Sequence, residues 1–376
     1  MTANNQHYIG ADAVSPEAVA NAGSKPLERP EPLCRVDDVA YVLFERPDLD
    51  RQRAFLEDFG MRVASEDSTA VYLRGNGPSP WFYCALKGEE ARYHGAGYTL
   101  TSREALETMA RHHNVDIEPI DAPGGGERVR LRDPDGFIAD LVYGREEQER
   151  VPCRGSLFTA NTPADKQRVN GGVRSSAEPS PLEKLGHLVM AVTNFQKSAH
   201  WYMENLGVIP TDVQCIKDGT PVLAFLRCDR GDTPADHHTV VVAQNIAPSL
   251  MHTAYETLDL DSIGQGSQYL RWKGWKHQWG IGRHILGSQL FDYWLDPYGT
   301  EMEHYADGDV FTADHPTGYH PLTPGSLYTW GEDPPPAPTP GVLQILKMVL
   351  TGQAKKLSPA VRRMGAAMAA PARPWL

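Results

Sequence analysis

The sequence lacks any long apolar run. Nothing in its 376 residues approaches the about 18 consecutive apolar side chains that a membrane-spanning helix needs, so no membrane partner is expected. Positive charge is in deficit: 36 Lys and Arg face 48 Asp and Glu, a formal charge of −12, which argues against a nucleic-acid surface. Cysteine is sparse. Cys34, Cys84, Cys153, Cys215 and Cys228 are odd in number and scattered, without a Cys-x-x-Cys pair, which is simplest in a reducing cytoplasm. The opening residues 1–32 are polar and small and do not follow the basic-then-apolar order of a signal peptide, so a cytoplasmic location is expected. Neither Gly264-Gln265-Gly266 nor Gly280-Ile281-Gly282 has the strand–GxGxxG–helix setting of a nucleotide site. What remains is ordinary for a globular chain, with 41% hydrophobic and 22% charged residues and length for two domains plus tails.

The chain repeats itself. A β-rich run at Asp37–Phe44 precedes a helical stretch that stops at Phe59-Gly60, and a second run at Gly186–Val192 precedes a helical stretch, Phe195 to Leu206, that stops at Gly207. Asp133-Pro134-Asp135-Gly136 matches Asp296-Pro297-Tyr298-Gly299, each a tight turn ahead of an alternating strand. Between these landmarks each half carries a further β-then-helix segment, Gly97–Leu100 before Ser102–Arg111 and Ala254–Leu258 before Leu260–Trp272. The order β-α-β-β-β therefore recurs, which argues for duplication and a fold of paired units. The division expected is a flexible tail at 1–33, a first module at 34–145, a linker or arm at 146–182, a second module at 183–310, and a lid and Pro-rich tail at 311–376. Within that tail, residues 334–340 read as polyproline and Val342–Leu350 as a short helix.

Three residues of the second module carry the chemistry. His187 opens a strand after Gly186, His252 opens another before Thr253-Ala254-Tyr255, and Glu303 lies on the strand after the Asp-Pro turn. Any one of them alone reads as a surface or satisfied core residue. On equivalent inner strands they offer two imidazoles and a carboxylate, which occupy one face of a metal and leave the other open, the arrangement that suits non-haem Fe(II) and O2. His238 (in His237-His238-Thr239), His284 and Tyr293 place two proton-exchanging imidazoles and a hydrogen-bonding phenol nearby. His237 reads as a neighbour of the site; His238 stands as either participant or neighbour.

These residues resemble the signature of the type I extradiol ring-cleavage dioxygenases of the vicinal-oxygen-chelate superfamily. The signature runs Gly-x-His, Tyr, Asp-Pro-x-Gly, Glu, matched here by Gly282-Arg283-His284, Tyr293, Asp296-Pro297-Tyr298-Gly299 and Glu303. Asp292 departs from it, since an apolar residue is expected before the tyrosine. The resemblance spans about residues 35–310, more closely in the second module, and implies an α+β fold of two tandem modules. Each would consist of paired βαβββ units forming a half-open barrel, with an extended C-terminal tail. It further implies His187, His252 and Glu303 as ligands of Fe(II), with Mn(II) as the alternative, and His238, His284 and Tyr293 as catalytic residues. The partners implied are a small aromatic diol and O2, in a homo-oligomer. The first module offers Asp38, Gly95 beside His94, and Asp140 at the ligand positions, which reads as an empty copy; the alternative is a hard-cation site at Asp38 and Asp140.

Trp272, Trp275, His277 and Trp279, with Tyr328-Thr329-Trp330, read as an apolar pocket mouth under a lid from 310–340. Strand alternation turns Arg283 away from the side His284 faces, which favours an uncharged catechol or trihydroxybenzene over a carboxylated one. Two rival readings share the fold: an aromatic α-keto-acid oxygenase, and a non-catalytic binding protein of the bleomycin-resistance type.

Overall fold

The computed structural model describes residues 16–21, 23–154, 161–174, 176–216, 218–323 and 326–335. The helix expected at Val342–Leu350 and the polyproline stretch beyond Pro335 lie outside the described residues. After a short helix α1 (Pro16–Asn21), the first module runs β1 (Val36–Arg46), α2 (Leu49–Phe59), β2 (Arg62–Glu66), β3 (Ala70–Arg74), β4 (Tyr83–Lys87). It continues β5 (Arg92–Leu100), α3 (Arg103–His113), β6 (Ile117–Pro119), β7 (Glu127–Arg132), β8 (Ile138–Tyr143). The second runs β9 (Leu182–Val192), α4 (Phe195–Leu206), β10 (Ile209–Cys215), β11 (Pro221–Arg227), β12 (Ala235–Asp236), β13 (Val240–Gln244). Then come β14 (Ser249–Thr257), α5 (Leu260–Lys273), β15 (Lys276–His284), β16 (Leu290–Leu295), β17 (Glu301–Ala306), β18 (Val310–Phe311), β19 (Gly318–Pro321) and β20 (Tyr328–Trp330).

The duplication is visible strand by strand. The first sheet is ordered β2-β3-β4-β1-β5-β8-β7-β6, and the second repeats it as β10-β11-β13-β9-β14-β17-β16-β15. In both, the two central strands (β1 and β5; β9 and β14) are antiparallel to each other, and each has a parallel outer neighbour. The central strands β1 and β9 have long apolar runs because both their faces are covered, with Val39–Phe44 and Leu185–Val192 buried throughout. The helices are set by their ends. Asp48 caps α2 by accepting from the Arg51 amide, Asn194 does the same for α4 at Lys197, and both helices stop at a glycine in the left-handed region, Gly60 (φ 118°) and Gly207 (φ 68°).

The two Asp-Pro-x-Gly turns also join the modules. Asp296 Oδ1 accepts from the Tyr298 and Thr300 amides at 2.9 and 2.8 Å, and Asp133 Oδ1 accepts from the Asp135 and Phe137 amides at 2.9 Å each. The second oxygen of each carboxylate reaches across. Asp296 Oδ2 receives the buried guanidinium of Arg46 at 2.9 Å, and Asp133 Oδ2 receives the Tyr202 hydroxyl at 3.0 Å. A single apolar core runs through both modules.

Two expectations change. The stretch expected to be lid and tail adds a strand at each edge of the second sheet, β19 beside β10 and β20 beside β15, because their backbone groups satisfy those edges. Part of the expected flexible tail is tied down: Val19 is buried, the Leu27 amide donates to the Tyr319 hydroxyl at 3.0 Å, and Arg29 pairs with Asp229 at 2.5 Å. In the connecting stretch, Arg154 donates to Asp259 and Ser262 at the start of α5, and the Gln265 amide donates to the Glu178 carbonyl.

Candidate metal centre

Register brings the three sequence-predicted ligands together. Ala254 on β14 is paired with His187 on one side and Glu303 on the other, and His252 sits two residues earlier on the same face. Ligand atoms of His187, His252 and Glu303 all lie within 4.8 Å of one another, the one such group of acidic, imidazole or thiol side chains among the described residues. His187 Nε2 and His252 Nε2 stand 3.2 and 3.4 Å from Glu303 Oε2. Glu303 is fully buried, yet neither oxygen makes a well-formed hydrogen bond. Donors about 2.1 Å from an ion at right angles to each other lie about 3 Å apart. A buried carboxylate without hydrogen bonds, with two imidazole nitrogens at nearly that spacing, fits a bound divalent ion. Gly186 leaves room for this arrangement, since a Cβ there would meet the Tyr305 hydroxyl at 1.9 Å.

The electrostatics agree. Burial would raise the Glu303 carboxyl, but the imidazoles of His187, His252 and His284 outweigh it and hold the group well below the usual carboxylate range. Burial also pushes the His187 imidazole down, so it stays neutral with a free lone pair.

The other three expected residues surround this point. His284 Nδ1 donates to the Leu327 carbonyl at 2.8 Å, so in the neutral ring Nε2 is the acceptor and takes the Tyr293 hydroxyl at 2.9 Å. Burial, then the Glu303 charge, holds Tyr293 well above its ordinary value, so it remains a phenol. The His238 ring lies 4.0 Å from that of His187, and burial followed by its imidazole neighbours pushes it well below the ordinary histidine range. Asp292, the departure from the signature, faces away from the cavity and accepts from His277 and from Trp294 Nε1 at 2.6 Å.

Above the triad is a cavity of about 400 Å³. Val189, Leu223, Phe225, Val241, Trp279 and Leu286 line it with Gln214, Gln278 and Gln289, and no Lys or Arg is among the described residues that line it. Ser326, Leu327, Pro334 and Pro335, from the stretch expected to form a lid, line one side of it. Of the expected aromatic mouth only Trp279 lines the cavity. Trp272 is exposed on α5, Trp275 donates to Asp58 across the modules, and His277 is held by Asp292. Arg283 turns outward to Asp307, as alternation required.

Sequence reasoning missed Asp212, His320 and the three glutamines. A carboxylate inside a strand with no other charged residue (Ile209–Cys215) was the available signal for Asp212.

Two imidazoles and one carboxylate on one wall of a largely apolar cavity define a candidate mononuclear, oxygen-accessible metal centre. Residues 184–303 match the model of the Glyoxalase/Bleomycin resistance protein/Dioxygenase superfamily. Metapyrocatechase 2 of Cupriavidus necator is 27% identical over 310 residues, covering 80% of this chain and 90% of the relative. Among solved structures, the Mn(II)-bound glyoxalase from Novosphingobium aromaticivorans has a TM-score of 0.68 at 22% identity, with 82% of this chain and 98% of that chain covered. Homoprotocatechuate 2,3-dioxygenase from Brevibacterium fuscum, in complex with 3,4-dihydroxyphenylacetate, has a TM-score of 0.66 at 21% identity, with 81% and 92% covered. Among the described residues no helix is long and apolar enough to cross a membrane.

Proposed function

We propose that the chain is an extradiol dioxygenase that opens an aromatic ring beside a catechol-type diol, with Fe(II) held by His187, His252 and Glu303. The observation that carries this reading is the convergence of those three ligand atoms within 4.8 Å beneath a cavity lined by proton-exchanging and apolar side chains. The similarity to metapyrocatechase 2 supports the ring-cleaving class. When bound, the ion would accept both diol oxygens and O2 on one centre, ordering the two reactants against each other.

The protein's own groups do the rest. His238, buried and held neutral, takes a proton from a diol hydroxyl as the substrate enters. Tyr293 and His284 share one hydrogen bond whose proton can be placed on either side. With His284 neutral the phenol donates to it; once His284 is protonated, the Tyr293 O–H is released to point at a developing oxyanion. Trp279, Leu223 and Phe225 exclude water from the ring, and Ser326, Leu327, Pro334 and Pro335 line the cavity beside them. With no Lys or Arg among the described lining residues, the cavity favours an uncharged substituted catechol or trihydroxybenzene.

The test is anaerobic reconstitution with Fe(II) and, in parallel, Mn(II), followed by O2 uptake and visible absorbance with a panel of catechols. Stoichiometric uptake with a new yellow chromophore is expected, faster with methyl- than with carboxyl-substituted rings. Uptake only with an aromatic α-keto acid and release of CO2 would move the chain to the keto-acid oxygenases. A carboxylated catechol turned over much faster than its methyl analogue would overturn the substrate preference.

A further inference from the structure

His237 is not a bystander to His238. Its ring is buried, and its backbone is fixed from two directions: the amide donates to the Asp309 carbonyl at 2.9 Å, and the carbonyl accepts from the Thr211 hydroxyl at 2.7 Å. Its two ring nitrogens are both engaged. Nε2 lies 2.7 Å from Asp212 Oδ2, and Nδ1 lies 2.8 Å from His238 Nδ1. The other oxygen of Asp212 is 2.7 Å from His320 Nε2.

A carboxylate has only lone pairs to offer, so His237 must donate through Nε2. Burial would raise Asp212, but the two imidazoles that donate to it hold it well below the usual carboxylate range, so it stays an acceptor. A neutral His237 with its proton on Nε2 has a bare Nδ1, and a bare Nδ1 facing another ring nitrogen at 2.8 Å requires the proton of that bond to sit on His238. The nitrogen of His238 left for the cavity is then Nε2, without a proton. Phe225 lies edge-on to both rings, with centroids 5.3 and 5.2 Å away, and limits their rotation.

We propose that Asp212 and His237 form a positioning relay that fixes His238 with its proton on Nδ1 and a bare, basic Nε2 directed at the substrate. The arrangement follows the logic of a serine-hydrolase triad, in which a buried carboxylate sets the tautomer of the working imidazole, with one more imidazole inserted. When Nε2 takes the substrate's proton, the His238 Nδ1–H bond to His237 is kept, so neither ring has to turn during the cycle. The relay rests on the ring-cleavage reading for its consequence in turnover, but the tautomer is a property of the protein alone.

Two measurements test it on the full-length chain. The first is nitrogen NMR of [15N]histidine-labelled protein loaded with diamagnetic Zn(II), in the wild type and in His237→Phe, His237→Asn and Asp212→Ala. His238 is expected to show a protonated Nδ1 and an unprotonated Nε2 in the wild type and in His237→Asn, whose amide oxygen can accept in place of the imidazole. His237→Phe and Asp212→Ala are expected to shift it toward the other tautomer. The second measures Fe(II)-loaded enzyme with a catechol. His237→Phe is expected to lose about 10²-fold in kcat with KM and iron content unchanged, and His237→Asn to recover most of it. A wild-type His238 protonated on Nε2, or a folded, iron-replete His237→Phe with undiminished kcat, would overturn the relay. If the wild type cleaves no diol, the ring-cleavage reading falls, and the tautomer alone then decides the relay.

Discussion

The two modules share a strand order and differ at every position that matters. The register that pairs His187 with Ala254 and Glu303 pairs Tyr41 with Gly97 and Asp140 in the first sheet. Gly95 occupies the place of His252, Trp81 that of His238 and Arg130 that of Tyr293. The carboxylate survives, but its surroundings invert. Asp140 takes two parallel hydrogen bonds from Arg130 at 2.8 Å each and a third from the Tyr41 hydroxyl at 2.9 Å, whereas Glu303 has none that are well formed. Tyr41 stacks on Trp81 at 4.3 Å, and Arg145 covers both rings. A buried carboxylate needs a positive partner. In the first module the protein supplies it as guanidinium; in the second it withholds one, leaving a place for an ion.

The comparison breaks most sharply if the second site loses a donor. Glu303→Ala or His187→Ala is expected to abolish bound iron and all ring cleavage, with metal analysis falling from one ion per chain to none. A second ion per chain in the wild type, retained in these variants, would instead show that the first module binds metal. Next in size is His238→Phe, which removes no ligand. It is expected to keep its iron and lose about 10²- to 10⁴-fold in kcat, and full activity would remove His238 from the mechanism.

Much of this contrast is legible in the sequence because it depends on residue type at marked places. The two Asp-Pro-x-Gly turns fix where β8 and β17 begin, and the carboxylate equivalence of Asp140 and Glu303 follows by counting. Counting fails for the first ligand because the run openings mislead. Asp38 follows Asp37 as His187 follows Gly186, but the strands begin earlier, at Val36 and Leu182, and their sixth residues, Tyr41 and His187, are the true counterparts. Asp38 lies instead at the seam of the modules, 2.7 Å from Lys184, so it forms no cation site with Asp140, which Arg130 neutralises. The pairing of Asp212 with His320 was beyond reach for another reason. Their contact joins positions 108 residues apart, through a strand, β19, that no pattern in the sequence places in the sheet. His284, Tyr293 and Glu303 were found because they crowd into one short stretch, where motif and geometry coincide.

Restoring a histidine to the first module should fail for a backbone reason. Gly95 has φ of 152°, in a region that residues with a Cβ rarely adopt, and a Cβ there would meet the Ile138 carbonyl oxygen at 2.0 Å. Gly95→His is expected to lower stability by at least about 3 kcal/mol in urea unfolding and to bind no second ion, even combined with Tyr41→His. A stable double variant that gained an ion would mean that side-chain identity alone, and not backbone shape, separates the modules.

The smallest effect concerns the seam that holds the two modules together. Asp38, Asp236 and Glu256 crowd around one ammonium, Lys184, which already bonds Asp38 and Asp236 at 2.7 and 2.8 Å. Burial, followed by the charge of Asp236, pushes the Glu256 carboxyl up from 4.5 to about 7. Between those values the folded protein holds a proton that the unfolded chain has released, so rising pH favours unfolding across that window. Stability contributed by the protonated form is therefore complete below about pH 4.5 and lost as pH climbs through about 7. Glu256→Gln, neutral at every pH, is expected to be more stable than the wild type at pH 8, by no more than the about 3 kcal/mol that the shift from 4.5 to about 7 allows, and by almost nothing at pH 4.5. Parallel unfolding curves for the two proteins at both pH values would show that the seam tolerates the third charge, and that the modules are joined by their shared core and the Asp296 and Asp133 clasps alone.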